Sequence, residues 1–187
     1  MWLIRHGETE WSRSGRHTGL TDLPLTDAGR RAATSLAPVL RQESFALVLV
    51  SPLKRARETC ELAGLGHRAR VDADLVEWNY GEYEGLTSDE IRARSPGWLV
   101  FTDGAPGGER PEDVSRRVDR VIDRARAAPG NVAIFAHGHL LRSLAARWLG
   151  WPLAAGRNFL LDTGTVNVLS AYREAPAIRR WNAPVDR

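Results

Sequence analysis

Short, nearly unbroken apolar runs alternate along this chain with stretches whose apolar residues recur every three or four positions. Met1–Arg5, Ala46–Val50 and Val132–Ala136 are hydrophobic almost throughout rather than alternating, the pattern of strands covered on both faces. Thr165–Tyr172 is β-branched and mixed and predicts another strand, with Ala177–Trp181 as a further candidate. Helical periodicity fills the gaps. Thr26 can N-cap a helix presenting Ala32, Ala33, Leu36 and Leu40 on one face, and Pro38 should kink or end it. Ser51-Pro52 offers a cap and an N1 proline for a helix through Ala56–Leu62. Pro111 opens a helix whose buried face is Val114, Val118, Val121, Ile122 and Ala125, and Leu140–Leu149 forms another, stopped by Gly150 and Pro152. Strands separated by helices of this length predict βαβ units. The expected fold is α/β, a three-layer α/β/α sandwich with a mostly parallel sheet. In such sheets ligands bind beyond the carboxyl ends of the strands, so chemistry should be sought there.

Composition narrows the setting. The chain has 187 residues with no repeat, low-complexity tract or long linker, which predicts one domain over residues 1–187. At 43% hydrophobic and 26% charged it has ordinary globular composition. The longest apolar runs fall far short of the roughly 20 residues of a membrane span, and Met1–His6 lacks the apolar core of a signal peptide. Cys60 stands alone, which excludes an internal disulfide and a cysteine-based metal site. A cytoplasmic protein with no membrane partner is expected. The 26 basic residues against 23 acidic ones give a net charge of +3, and every basic residue but Lys54 is arginine. These arginines are interleaved with acids, as in Arg116-Arg117-Val118-Asp119-Arg120, rather than gathered into a stripe. Most read as solvated helix faces, and no nucleic-acid partner is expected.

Two strands end alike. Ile4-Arg5-His6-Gly7 and Phe135-Ala136-His137-Gly138 each set a histidine just past a buried strand, before a glycine that lets backbone approach a ligand. One such histidine is ordinarily structural; two at the same edge of one sheet point to function. Arg5 adds a fixed cation. Arg55 falls in the first turn of its helix, where free N–H groups and the helix dipole favour an anion, whereas Arg57 faces elsewhere. The segment Leu75–Gly85 holds Glu77, Glu82 and Glu84 among aromatics and glycines that could desolvate a carboxyl and suit it to acid catalysis. The pattern does not choose among the three.

Arg5-His6-Gly7-Glu8-Thr9, Ser51-Pro52-Leu53-Lys54-Arg55-Ala56 and Phe135-Ala136-His137-Gly138-His139 together resemble the histidine phosphatase superfamily, which includes the cofactor-dependent phosphoglycerate mutases. Thr9–Gly15, Thr18–Thr26, Glu77–Gly85 and Phe159–Asp162 are similar to its sedoheptulose-bisphosphatase-like and acid-phosphatase branch. The resemblance implies a phosphoglycerate mutase-like fold and hydrolysis of small phosphomonoesters, sugar phosphates or bisphosphates, through a phosphohistidine, with neither metal nor cofactor. It assigns His6 as nucleophile, Arg5, Arg55 and His137 as ligands of the phosphoryl oxygens, and Glu77 as proton donor, with activity highest on the acidic side of neutral. Thr9, Ser12, Thr18, Gly19, Tyr80, Gly138 and His139 fall at positions near the phosphate pocket. Arg16, His17 and Arg110 are candidate contacts for a distal phosphate, and Trp11, Trp78, Trp98 and Phe101 either line a pocket or fill the core.

Departures from the pattern bear on the alternatives. Ser12 and His139 stand where mutases usually carry asparagine, and the basic insertion after the Glu77 segment is missing, both of which disfavour a mutase. Arg110 stands where a Ser or Thr would cap the following helix. The other rivals are a metal-dependent hydrolase built on His137-x-His139 with His6, Asp22 and Glu77, and a non-catalytic phospho-ligand module of the same fold. The sequence carries no signal for oligomeric state.

Overall fold

The computed structural model describes residues 1–185, so residues 186–187 of the expected domain lie outside the described residues. In chain order the elements are β1 (Trp2–Arg5), α1 (Glu10–Arg13), α2 (Asp27–Ser35), α3 (Ala37–Leu40), β2 (Phe45–Val50), α4 (Lys54–Leu62) and β3 (Ala69–Val71). There follow α5 (Ser88–Arg94), α6 (Val100–Asp103), α7 (Pro111–Ala127), β4 (Asn131–Ala136), α8 (Gly138–Trp148), β5 (Val166–Tyr172) and β6 (Ala175–Ala183). The strands form one six-stranded sheet in the order β3-β2-β4-β1-β5-β6. β3, β2, β4 and β1 run parallel, while β5 is antiparallel to β1 and to β6.

Side chains of β1 alternate between two cores, as the strand period requires. Leu3 packs into the core under α7 and α8, with Val118, Ile122, Leu140 and Leu144. Trp2 and Ile4 point to the other core, with Leu36 and Leu40 from the α2–α3 region and Ala56 and Cys60 from α4. The sheet is therefore the middle of three layers. Burial pushes the Cys60 thiol up to about 12, the mark of a packing residue rather than a reactive one.

Thr26 caps α2 as expected, its hydroxyl accepting from the Gly29 N–H at 3.0 Å. The helical pattern that follows is two helices, broken at Leu36 so that Pro38 sits in the first turn of α3, where its missing N–H costs nothing. The helix expected from Ser51-Pro52 begins instead at Lys54, with Leu53 at the N-cap position and no cap from its own segment. Asp22 supplies the acceptor from a distance, taking the Lys54 N–H at 2.6 Å. In α7 the bond is local: Asp113, the third residue of the helix, accepts the N–H of the N-cap residue Arg110 at 3.1 Å. The edge strand β3 escapes the hydrophobic pattern because it is three residues long and largely exposed. β5 and β6 join through Arg173, whose φ of 54° makes a tight hairpin in place of a further crossover.

Candidate active site

Sheet order brings the two strand-end histidines together. β1 and β4 are neighbours with Arg5 paired to Ala136, so the next residues, His6 and His137, leave the sheet side by side. Their rings lie 5.2 Å apart. β2 flanks β4 on the other side, and its exit delivers Ser51 and then α4 with Arg55 to the same edge.

His6 is almost wholly buried. Its Nδ1 lies 2.7 Å from the Gly7 carbonyl, an oxygen that can only accept, so the proton of the neutral ring sits on Nδ1. Nε2 keeps its lone pair and has no protein partner, and the ring lines a cavity of about 200 Å³. Burial, then the charges of Arg55 and Arg5, hold the imidazole well below its ordinary range, so the ring stays neutral. A neutral, pinned imidazole with a free Nε2 is a competent nucleophile. The loop behind it is fixed from α4: the Thr59 hydroxyl accepts the Gly7 N–H at 3.0 Å and donates to the Arg55 carbonyl at 2.7 Å. Gly7 is required there, because a Cβ would stand 2.4 Å from the Gly29 carbonyl oxygen.

The cations divide into two kinds. Arg5 lines the cavity, donates through Nη1 to the Leu161 carbonyl, and keeps a buried Nε with no protein partner. Arg55 is fully buried behind the wall. Its guanidinium donates to the carbonyls of Thr18, Gly19 and Thr21 at 2.9–3.0 Å and to His137 Nδ1 at 3.2 Å. His137 in turn places Nε2 2.7 Å from the Ser51 hydroxyl, so both of its nitrogens are engaged. Because Nδ1 accepts from Arg55, Nε2 carries the proton. Burial and Arg55 keep this ring neutral too. The serine that the sequence suggests as a helix cap is thus spent on His137. Arg55 and His137 do not line the cavity, where direct contact with the ligand was expected of both; the charged Arg55 guanidinium and the neutral His137 ring form a buried layer beneath it.

Of the three acids in the Leu75–Gly85 segment, only Glu77 is buried and faces the cavity. Its carboxyl sits at the N-terminus of α8, where Oε1 accepts the N–H groups of Trp78 and Leu140, both at 2.9 Å. Oε2 accepts only the His139 N–H, at 3.0 Å, which leaves it a free position for a proton. Glu84 acts on the backbone instead, where its carboxylate takes the N–H groups of Gly19 and Thr21 and holds the loop that Arg55 grips from below. Glu82 is exposed.

Ser12, Thr18, Tyr80, Gly138 and His139 line the cavity, as do Arg16 and His17. Thr9 does not. It is fully buried as the N-cap of α1, exchanging hydrogen bonds with Ser12. Gly19 packs behind the wall, where a Cβ would meet Glu84 Oε2 and the Trp78 carbonyl at 2.5 Å. Arg110 is exposed and pairs with Asp113 away from the cavity, so it is no candidate for a distal phosphate. Trp78, Trp98 and Phe101 belong to the core under α7 and α8. Sequence reasoning missed Arg142, which lines the cavity from α8 and lies over the Phe101 ring at 4.7 Å. The signal was there: Arg142 is one helical turn beyond Gly138, on the same face. Among the described residues there is no group of three or more His, Cys, Asp or Glu placed to hold a metal ion, and no helix is long and apolar enough to cross a membrane.

Comparison with known proteins agrees with this geometry. The sequence profile of the histidine phosphatase superfamily (branch 1) matches residues 1–184. An acid phosphatase of Mycobacterium tuberculosis is 41% identical over 170 residues, covering 89% of this chain and 83% of the relative. A sedoheptulose 1,7-bisphosphatase of Saccharomyces cerevisiae is 37% identical over 180 residues, covering 79% and 66% respectively. The solved structure of an open-reading-frame product of Mycobacterium tuberculosis superimposes with a TM-score of 0.94 at 37% identity, covering 98% of this chain and 97% of that one. A polypeptide whose profile match runs almost end to end, and whose paired histidines meet at the carboxyl edge of the sheet, belongs to the histidine phosphatase superfamily, branch 1.

Proposed function

We propose that residues 1–187 act as one domain that hydrolyses small phosphomonoesters through a phosphohistidine on His6. One observation carries this reading: a buried, neutral imidazole fixed through Nδ1 presents a free Nε2 to a cavity that also holds the Arg5 guanidinium and the Glu77 carboxyl. In the first step the Nε2 lone pair attacks phosphorus, the P–O bond to the alcohol breaks, and Glu77 gives its proton to the departing oxygen. In the second, Glu77 takes a proton from water, which attacks phosphorus and releases inorganic phosphate with His6 restored. Arg5 supplies the cationic contact for the phosphoryl oxygens, with Ser12, Thr18 and the first turn of α8 at hand, while Arg55, bonded to the neutral His137, sets the field from beneath. No resident metal or cofactor is invoked, and activity should survive a chelator. The lone buried Cys60 suits a cytoplasmic setting.

The test is to trap the phosphoenzyme. Brief incubation with ³²P-labelled acetyl phosphate should give acid-labile, base-stable label that disappears in His6→Ala. Label that persists in the variant removes His6 as nucleophile. The curated relatives named acid phosphatase and sedoheptulose 1,7-bisphosphatase support a phosphorylated metabolite as substrate. Mutase activity is the second reading, and failure to interconvert phosphoglycerates in the presence of 2,3-bisphosphoglycerate would dismiss it.

A further inference from the structure

The cavity also contains a pair of imidazoles that the reaction above does not use. His17 and His139 stack with centroids 5.7 Å apart and planes within 4° of parallel. Both line the cavity. Each is locked by its neighbours: His17 by the edges of Tyr80 and Trp98, at 4.9 and 5.3 Å, and His139 by Phe101 at 5.2 Å. Each is also anchored through Nδ1, and the anchors differ in kind.

His17 Nδ1 lies 2.8 Å from the Leu86 carbonyl, which can only accept. Its proton is therefore on Nδ1, and Nε2 is a bare acceptor. His139 Nδ1 lies 2.5 Å from the Tyr80 hydroxyl. That phenol is buried and has no other protein acceptor among the described residues, so its O–H donates to Nδ1 and the His139 proton is on Nε2. Burial keeps both rings and the phenol neutral. Neither Nε2 has a protein partner, and neither is among the sealed, unpartnered polar atoms, so both are open to the cavity.

The two stacked rings thus offer one acceptor and one donor to the same cavity. An anion can only accept and an ammonium can only donate; a hydroxyl does both. We propose that His17 and His139 form a hydroxyl-reading subsite for the leaving alcohol, so that the substrate is a polyol monophosphate whose alcohol carries at least one further hydroxyl. This rests on the phosphatase reading and replaces the distal-phosphate role expected of His17. The nearby cations are partly engaged: Arg16 Nη1 is held by the Gly85 carbonyl and Glu90, and Arg142 donates through Nε and Nη2 to the carbonyls of Gly156 and Arg157, so a bisphosphate is the competing ligand that the panel must reject.

The experiment is a matched panel on the whole chain: glycerol 3-phosphate, propyl phosphate, 3-aminopropyl phosphate and propane-1,3-diol bisphosphate, each ranked by kcat/KM. Glycerol 3-phosphate should lead each of the others by about tenfold or more, since a site built to bond a hydroxyl rejects analogues lacking it. His17→Phe and His139→Phe keep a stacked ring but remove the nitrogens, and each should bring the glycerol-to-propyl ratio down to about one. A ratio near one in the unaltered protein, a lead for the bisphosphate, or an undiminished ratio in folded variants would overturn the proposal; the first two outcomes need no variant. Failure of the phosphatase reading looks different, because then 4-nitrophenyl phosphate is not hydrolysed and His6 is not labelled.

Discussion

Glu77→Gln is ordinarily chosen as the mild way to remove a catalytic carboxyl, but here it should unsettle the fold as well. The carboxyl receives three backbone N–H groups, from Trp78 and Leu140 on Oε1 and from His139 on Oε2. An amide has a single acceptor oxygen. Placed toward Trp78 and Leu140, it leaves the amide NH₂ facing the His139 N–H, donor against donor. One stranded donor costs about 1–3 kcal/mol, and exchanging charged for neutral acceptors weakens the other two bonds by about 1 kcal/mol each. Lost interaction with the positive end of α8 adds about 0.5 kcal/mol. A destabilisation of about 3.5–5.5 kcal/mol follows, which in a domain of this size lowers Tm by about 7–22 °C. Thermal unfolding at pH 7.5 measures it. The second readout is kinetic, taken well below the lowered Tm: kcat should fall about a hundredfold further for alkyl phosphates than for aryl phosphates, whose leaving groups need little protonation. A Tm within 2 °C of the parent (roughly 1 kcal/mol or less on the same scale) would refute the three-donor account, and equal losses on alkyl and aryl esters would refute the proton-donor role.

Stability should fall in mild acid. His6, His137 and His139 are neutral in the fold and titrate near 6.5 when unfolded, so their contribution is complete above about 6.5 and is lost as pH falls toward the depressed folded values; three such groups remove about 4 kcal/mol between pH 7.5 and 5.5, and a flat Tm over that range would contradict it. Gly138→Ala should separate function from stability. Its Cβ would stand 3.3 Å from Cζ and Nε of Arg5 while alanine favours the helix, so Tm should hold or rise as kcat/KM drops about tenfold; an unchanged kcat/KM would mean that Arg5 tolerates displacement.

What the sequence disclosed depended on whether a residue's role was local. Strand ends, helix faces and the histidine–glycine pairs obey spacing rules, so β1, β4, α7 and the meeting of His6 with His137 could be anticipated. Roles set by distant partners could not. Ser51 resembled a helix cap because a serine before a proline usually is one, yet its hydroxyl faces His137, 86 residues away. Thr9 and Gly19 matched pocket positions, but capping and close packing consume them. Glu77 could not be told from Glu84 by composition, because both accept backbone N–H groups. They differ in whose, and in that Glu77 is buried against the cavity: Glu77 takes those opening α8, Glu84 those of the loop beside the cavity.

The position of Arg55 explains how the site keeps His6, the proposed nucleophile, neutral next to so much positive charge. A fully buried guanidinium would be costly if unpaired. Here its charge is met by carbonyl dipoles of Thr18, Gly19 and Thr21 and by a neutral imidazole, none of which carries a formal charge to cancel it. The arginine therefore stays satisfied as a donor while its field still reaches His6. A carboxylate partner in the same place would have quenched that field and favoured protonation of the ring, and a protonated His6 has no lone pair to attack with. Carbonyl pairing thus does two things at once: it adds the Arg55 field to burial, the larger cause, in keeping His6 neutral, and it leaves a net positive field for an incoming phosphoryl group to neutralise. The same loop of carbonyls is held from its other side by Glu84, so the Arg55 contribution to the field at His6 rests on a loop fixed by an acid outside the cavity.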